Sequence, residues 1–152
     1  MMIYNIRVIS AVFLSVFVFC LASAEVSAQD DQEKMRRQLE RLMAGESELT
    51  EDDVKIYLNN IDKIFALRFE PDKLPEVAKS VEGWSERRFA YVSTKMAVGM
   101  HMLIKPDSPI NVTIPDFAKP TGQERDLIKR YQDSLNRAME RVQAKYAAGS
   151  GS

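Results

Sequence analysis

The chain holds one cysteine, one histidine and one tryptophan among its 152 residues, and the first two scarcities each close a class of chemistry. A lone Cys20 cannot form an internal disulfide, and no cysteine cluster exists to cage zinc. His101 has no second imidazole with which to complete a zinc-hydrolase motif. It would also have to be the base of any Ser-His-Asp hydrolase. No G-x-S-x-G elbow is present, and a histidine in mid-helix is badly placed for that work. The six glycines are scattered, two of them close to the C-terminal end, so no glycine-rich loop can cradle a phosphate.

Neither sign of charge is in excess, with 21 Lys+Arg against 22 Asp+Glu. This balance excludes a broadly basic nucleic-acid binder, whose affinity would rest on Lys and Arg neutralising phosphates. With 28% charged and 45% hydrophobic residues, a highly charged disordered chain is excluded as well. No apolar run reaches the roughly 20 residues of a comfortable membrane span. The longest, residues 8–21, has 14.

That run belongs to an export signal. Residues 1–7 form a short segment with one positive charge, Arg7, and small residues follow the apolar stretch. Ala22, Ser23 and Ala24 fit the A-x-A cleavage pattern, and Val26, Ser27 and Ala28 fit a relaxed form of it. Cleavage is expected after Ala28, where Gln29, Asp30 and Asp31 open a polar chain; cleavage after Ala24 and an uncleaved anchor are the alternatives. Bulky Phe19 precedes Cys20 where a lipoprotein signal wants small residues, so lipidation is not expected. The mature chain of 124 residues then has no cysteine and holds together by packing alone. The short start and the cleavage style point to a Gram-negative periplasm; in another host the protein is secreted. Asn111, Val112 and Thr113 form a glycosylation sequon that matters only in a eukaryote.

The mature chain reads as a series of helices. In residues 31–44, Met35, Leu39, Leu42 and Met43 recur at three- and four-residue steps, and Gly45 is a plausible stop. Thr50 and Asp53 resemble a capping box opening a second helix, which Val54, Tyr57, Leu58, Ile61, Ile64, Phe65 and Leu67 carry to about residue 69. A short helix opened by Pro75 and closed by Gly83 buries Leu74, Val77, Val81 and Trp84. Ser85 caps a fourth helix, residues 86–104, whose stripe is Phe89, Val92, Met96, Met100 and Leu103. Residues 105–120 hold Pro106, Pro109, Pro115 and Pro120 and cannot form a regular helix. They read as an extended strap laid over the bundle by Ile110, Val112, Ile114 and Phe117, with brief strand pairing as the alternative. Thr121 and Glu124 form a second capping box, opening a last helix to residue 147. On it, Asp126–Arg130 and Asp133–Arg137 are spaced as exposed i,i+4 pairs. The fold expected is all-α: a small irregular bundle of four to five helices in one domain, residues 29–147, with a flexible tail at 148–152.

Two segments carry candidate chemistry. Trp84, Arg87, Arg88 and Tyr91 gather the only Trp, two Arg and a Tyr at a helix start, the residue types that most often anchor protein interfaces. Their competing role is ordinary: Trp84 in the core, the arginines solvated. Met96, Met100, His101 and Met102 offer thioethers and an imidazole, which suit Cu(I). Helical steps of about 100° spread His101 and Met102 away from the Met96–Met100 face, so core packing competes here too. Acidic clusters at Asp30–Asp31 and Glu51–Asp53 sit where helix caps and dipoles account for them.

Charge is unevenly spread. Residues 29–72 carry 7 basic and 12 acidic side chains, residues 73–120 carry 7 and 5, and residues 121–152 carry 6 and 4. This asymmetry suits a steered partner, antiparallel self-association or simple internal pairing. The function expected is that of an exported, non-enzymatic helical protein that binds another protein, as accessory subunit, adaptor or chaperone-like factor. No cofactor, no nucleic-acid partner and no membrane span after cleavage are expected. The alternatives are an envelope binder of a small ligand or Cu(I) through residues 96–102, and an enzyme working through carboxylates.

Overall fold

The computed structural model describes residues 29–67, 69–104 and 114–149. Among these the chain is all-α, without strands: α1 (Gln29–Met43), α2 (Glu51–Asn59), α3 (Ile61–Ala66), α4 (Leu74–Ser80), α5 (Glu86–Ile104), α6 (Gly122–Arg130) and α7 (Gln132–Gly149). Short 3-10 turns lie at Pro71–Lys73 and Asp116–Ala118. None of these helices is long and apolar enough to cross a membrane. The export signal, Pro106, Pro109, Ile110, Val112 and residues 150–152 lie outside the described residues.

Local chemistry sets most boundaries. Gly45, at φ 82°, ends α1 in the left-handed region that a side chain rarely adopts. The Thr50 and Thr121 capping boxes are both closed: each threonine oxygen accepts from the backbone N–H three residues on, and the carboxylate there accepts from the threonine N–H. Pro75 stands in the first turn of α4, and Ser85 Oγ accepts from Arg88 N at the start of α5.

Seven α-helices replace the expected four to five, because two long helices are interrupted. At Asn60, φ −112° and ψ 11° leave the helical region, and its N–H turns to the carbonyls of Ile56 and Tyr57. The Asn60 side chain also donates to Ile56 O, at 2.8 Å, competing for a helical acceptor. At Tyr131, φ −98° and ψ 6° make the same break, with the N–H on Ile128 O at 3.1 Å. α2 also ends its continuation early: Phe69 and Glu70 N–H groups close onto Ala66 O before Pro71 is reached. The last helix runs two residues past its expected end, to Gly149. The expected i,i+4 pairs of α6 and α7 are reorganised: Arg130 reaches Glu51 at 3.1 Å, and Arg137 Nε donates to the Asp133 main-chain oxygen.

α5 is the central element. It packs against α1, α2, α4, α6 and the Asp116–Ala118 turn, while α7 lies on α3 and α6. Every residue from position 91 to position 100 is buried, the signature of a helix enclosed on all sides rather than laid on a surface. Val92 and Met96 join Tyr57, Ile128 and Leu135 in one continuous core. The described end of the strap contributes to it, with Phe117 packed on the core and Ala118 and Pro120 buried.

Close approach of α5 and α6 depends on Gly99. A Cβ there would stand 2.4 Å from Ile128 Cδ1 and 3.5 Å from Pro120 Cγ. Gly99→Ala gains helix propensity of about 1 kcal/mol, but overpacking a closed core costs about 1–3 kcal/mol. Urea unfolding is expected to show a net loss of about 1 kcal/mol, and Ile128→Val in the same chain should recover part of it.

Candidate functional site

Arg88, Tyr91 and Lys95 are spaced i, i+3 and i+7 on α5 and so share one face. Two cations on a buried helix need counter-charges, because an unpaired buried charge costs several kcal/mol. The carboxylates come from the two capping boxes. Arg88 forms an ion pair with Asp53 of α2, with side chains 11% and 8% exposed. Lys95 Nζ lies 3.7 Å from the Glu124 carboxylate of α6, which is fully buried. Tyr91 stands between the pairs. The Arg88 guanidinium carbon is 5.2 Å and Lys95 Nζ 5.3 Å from its ring centroid, within cation–π range.

Each end of this seam is saturated with hydrogen bonds. Glu124 accepts from Tyr91 OH at 2.5 Å, from Leu49 N at 3.1 Å and from Thr121 N at 2.8 Å. Asp53 accepts from Trp84 Nε1 at 3.0 Å as well as from Thr50 and Arg88. Arg88 also donates to the carbonyls of Ser47 and Glu48, at 2.5 and 3.0 Å, and meets Glu46 at 3.5 Å. Lys95 Nζ donates to Lys119 O at 2.5 Å. The connection from α1 to α2, the start of α6 and the end of the strap are thus all tied to one face of α5.

The electrostatics follow from that packing. Burial on its own raises the Asp53 carboxyl, but the Arg88 guanidinium and the Thr50 donors outweigh it and hold the group below the usual carboxylate value. Burial pushes the Tyr57 phenol well above the ordinary tyrosine value. Burial, and then the Glu124 carboxylate beside it, does the same for Tyr91. Each shift favours the ordinary neutral-pH form of its group, an ionised Asp53 and protonated Tyr57 and Tyr91.

Of the sequence candidates, Trp84, Arg88 and Tyr91 are brought together, turned inward and joined to Asp53 and Glu124. Arg87 is exposed and takes a separate role. Its guanidinium donates to the carbonyls of Arg41, Leu42 and Ala44, at 3.3, 3.2 and 2.7 Å, capping the C-terminal end of α1. Met96 and Met100 belong to the core cluster. His101 is buried and Met102 half-buried at the far end of α5. Among the described residues, no group of three or more His, Cys, Asp or Glu could hold a metal ion.

The residues missed by motif reading are Asp53 and Glu124 in their second roles, together with Lys95. One signal was available. Lys95 is the only Lys, Arg, Asp or Glu between positions 89 and 104, and a charge inside so apolar a helix demands a partner from elsewhere. A second feature lies outside the seam. Phe69 is 56% exposed and is the exposed large hydrophobic side chain among the described residues. It stacks on Tyr146 at 5.1 Å and 24°, with Phe65 behind the pair at 6.1 and 5.3 Å. No family model, curated protein or solved structure matches this chain.

Two outcomes follow, one from the seam and one from the buried phenols. Asp53→Ala leaves a buried guanidinium and indole N–H without their acceptor and should cost about 3 kcal/mol in urea unfolding. Adding Arg88→Met should cost far less than the sum of the single changes, since the pair leaves together. In alkali the sign is set by phenols that keep their protons in the native state while the unfolded chain loses them. Stability is therefore complete below pH about 10 and declines above it, by about 1.4 kcal/mol per pH unit from Tyr57 alone. Unfolding curves for Tyr57→Phe measured between pH 9 and 11 should show a shallower decline than the parent.

Proposed function

We propose that this chain is exported, to the periplasm in a Gram-negative host, and there binds another protein as an accessory subunit, adaptor or chaperone-like factor. The observation that carries the reading is the stacked aromatic pair at the edge of α3 and α7. Phe69 stands out into solvent with Tyr146 against its face. Aromatic side chains are among the residues from which interfaces draw much of their energy. Glu70, paired with Lys73 at 3.0 Å, and Lys145 are exposed and adjoin the pair in sequence, polar neighbours of the kind an interface rim uses.

The polar chemistry of the seam supports the same reading. Arg88, Asp53, Lys95 and Glu124 are consumed by one another and by backbone groups. They act as fasteners for a rigid body that presents a surface.

The test is a crosslinked affinity pull-down of the tagged protein, at native expression, from the envelope of its own host. A stoichiometric partner is expected with the parent chain. Phe69→Glu should reduce its yield about ten-fold while leaving unfolding by urea within about 1 kcal/mol of the parent. Recovery of the chain alone, or equal recovery with Phe69→Glu, removes the reading or its surface respectively.

A further inference from the structure

We propose that the outer face of α7 docks an acidic helix of a partner protein, with Arg137, Arg141 and Lys145 as the line that meets its carboxylates. The inference rests on the protein-binding reading and gives the chemistry of the partner.

The three cations stand four residues apart and all are exposed, so they run along one side of the helix. No other described helix carries three like charges at this spacing. Like charges so placed repel and weaken an isolated helix, and the fold gives them no relief. Among the described residues, none of the three forms an ion pair. By contrast Arg37 and Arg130, also exposed, meet carboxylates at 3.1 Å. Arg137 turns its Nε to the main-chain oxygen of Asp133, at 3.3 Å, and not to that residue's carboxylate. Arg141 and Lys145 have no acidic residue three or four positions away on either side. The helix dipole does not account for them, because it acts within the last turn and the last turn of α7 holds no basic residue.

The shape of this face suits a helix. Ala144 and Ala148 follow Arg137 and Arg141 by seven residues, share their side of α7 and are exposed. Side chains this small admit a second helix at the packing distance of about 8–10 Å. Glutamates four residues apart on that helix repeat the pitch of the cation line, about 6 Å per step. Two of the three cations are arginines, whose forked donors match a carboxylate. Asp133 and Glu140 flank the line, which disfavours the uniform negative charge of a nucleic-acid backbone. A lipid surface is disfavoured as well. It would need a large apolar side chain to bury, and the exposed one among the described residues is Phe69, on another element.

The test titrates the full chain with a labelled alanine-rich helical peptide of about 20 residues bearing glutamate at every fourth position, followed by fluorescence anisotropy. Its counterpart with glutamine at those positions is the control. The glutamate peptide is expected to bind more tightly than the control, and less tightly as salt is raised. Arg137→Gln, Arg141→Gln and Lys145→Gln together should weaken it about ten-fold. Arg125→Gln with Lys129→Gln, which removes two exposed cations of α6, should change it less than about two-fold. Equal binding of the two peptides, or an unchanged affinity in the triple variant, overturns the inference. So does a concentration-dependent dimer, or binding to phosphatidylglycerol vesicles or duplex DNA, that the triple variant abolishes while its peptide affinity stays that of the parent. Envelope pull-downs with the parent and the triple variant separate the two readings. No partner with the parent removes the protein-binding reading and this inference with it. A partner recovered equally with both chains leaves that reading standing and removes this inference alone.

Discussion

Two positive charges on one face of an enclosed helix set the terms for the rest of this molecule. Arg88 and Lys95 sit on α5, which packing surrounds on all sides through its middle, and neither can remain there without a carboxylate. The chain meets the demand with groups already engaged at helix starts, where the backbone dipole and free N–H groups favour negative charge. Asp53 and Glu124 each close a capping box and neutralise a cation. One carboxylate therefore fixes both where its helix begins and how that helix meets α5. Because Tyr91 lies between the two cations and bonds to Glu124, the two pairs form a single unit.

The unit also governs the irregular parts of the chain. The connection between α1 and α2 has no helix of its own, and its backbone groups are taken up by Arg88 and Glu124. Lys95 does the same for Lys119 at the end of the strap. Apolar packing supplies the bulk of the cohesion, through Tyr57, Met96, Ile128 and Leu135. It is not directional, however, and would tolerate several arrangements of short helices. The seam selects among them, since a slipped helix would strand a buried charge. The residue types that most often anchor interfaces, an indole, a guanidinium and a phenol, are thereby used inside the protein. Phe69 remains exposed, stacked on half-buried Tyr146, and neither is joined to the seam.

Much of the local architecture was legible in the residues. Both capping boxes, the stop at Gly45, the proline in the first turn of α4 and the serine before α5 are short-range devices whose partners lie within a few positions. The interruptions at Asn60 and Tyr131 were not legible. Each lies in an unbroken apolar pattern and departs from the helix by one residue's dihedral angles, which neither a glycine nor a proline announces. The candidate site was half legible. Composition located Trp84, Arg88 and Tyr91 as exceptional, but the carboxylates Asp53 and Glu124 that join them are 31 to 35 residues away in sequence. No periodicity connects residues across such a distance.

The sequence by itself determined that the described chain is helical, where most helices start and stop, and which stripes are apolar, because those properties arise from backbone sterics and from spacings of three and four residues. Only the tertiary structure decided what the polar residues do. Whether Asp53 and Glu124 are mere caps or buried counter-ions, whether Arg87 faces solvent or the end of another helix, and whether Phe69 or Trp84 stands outside all depend on which helices become neighbours of α5. That choice is made by summed burial and by the cost of an unpaired charge, quantities that belong to the packed whole and to no single stretch of the chain.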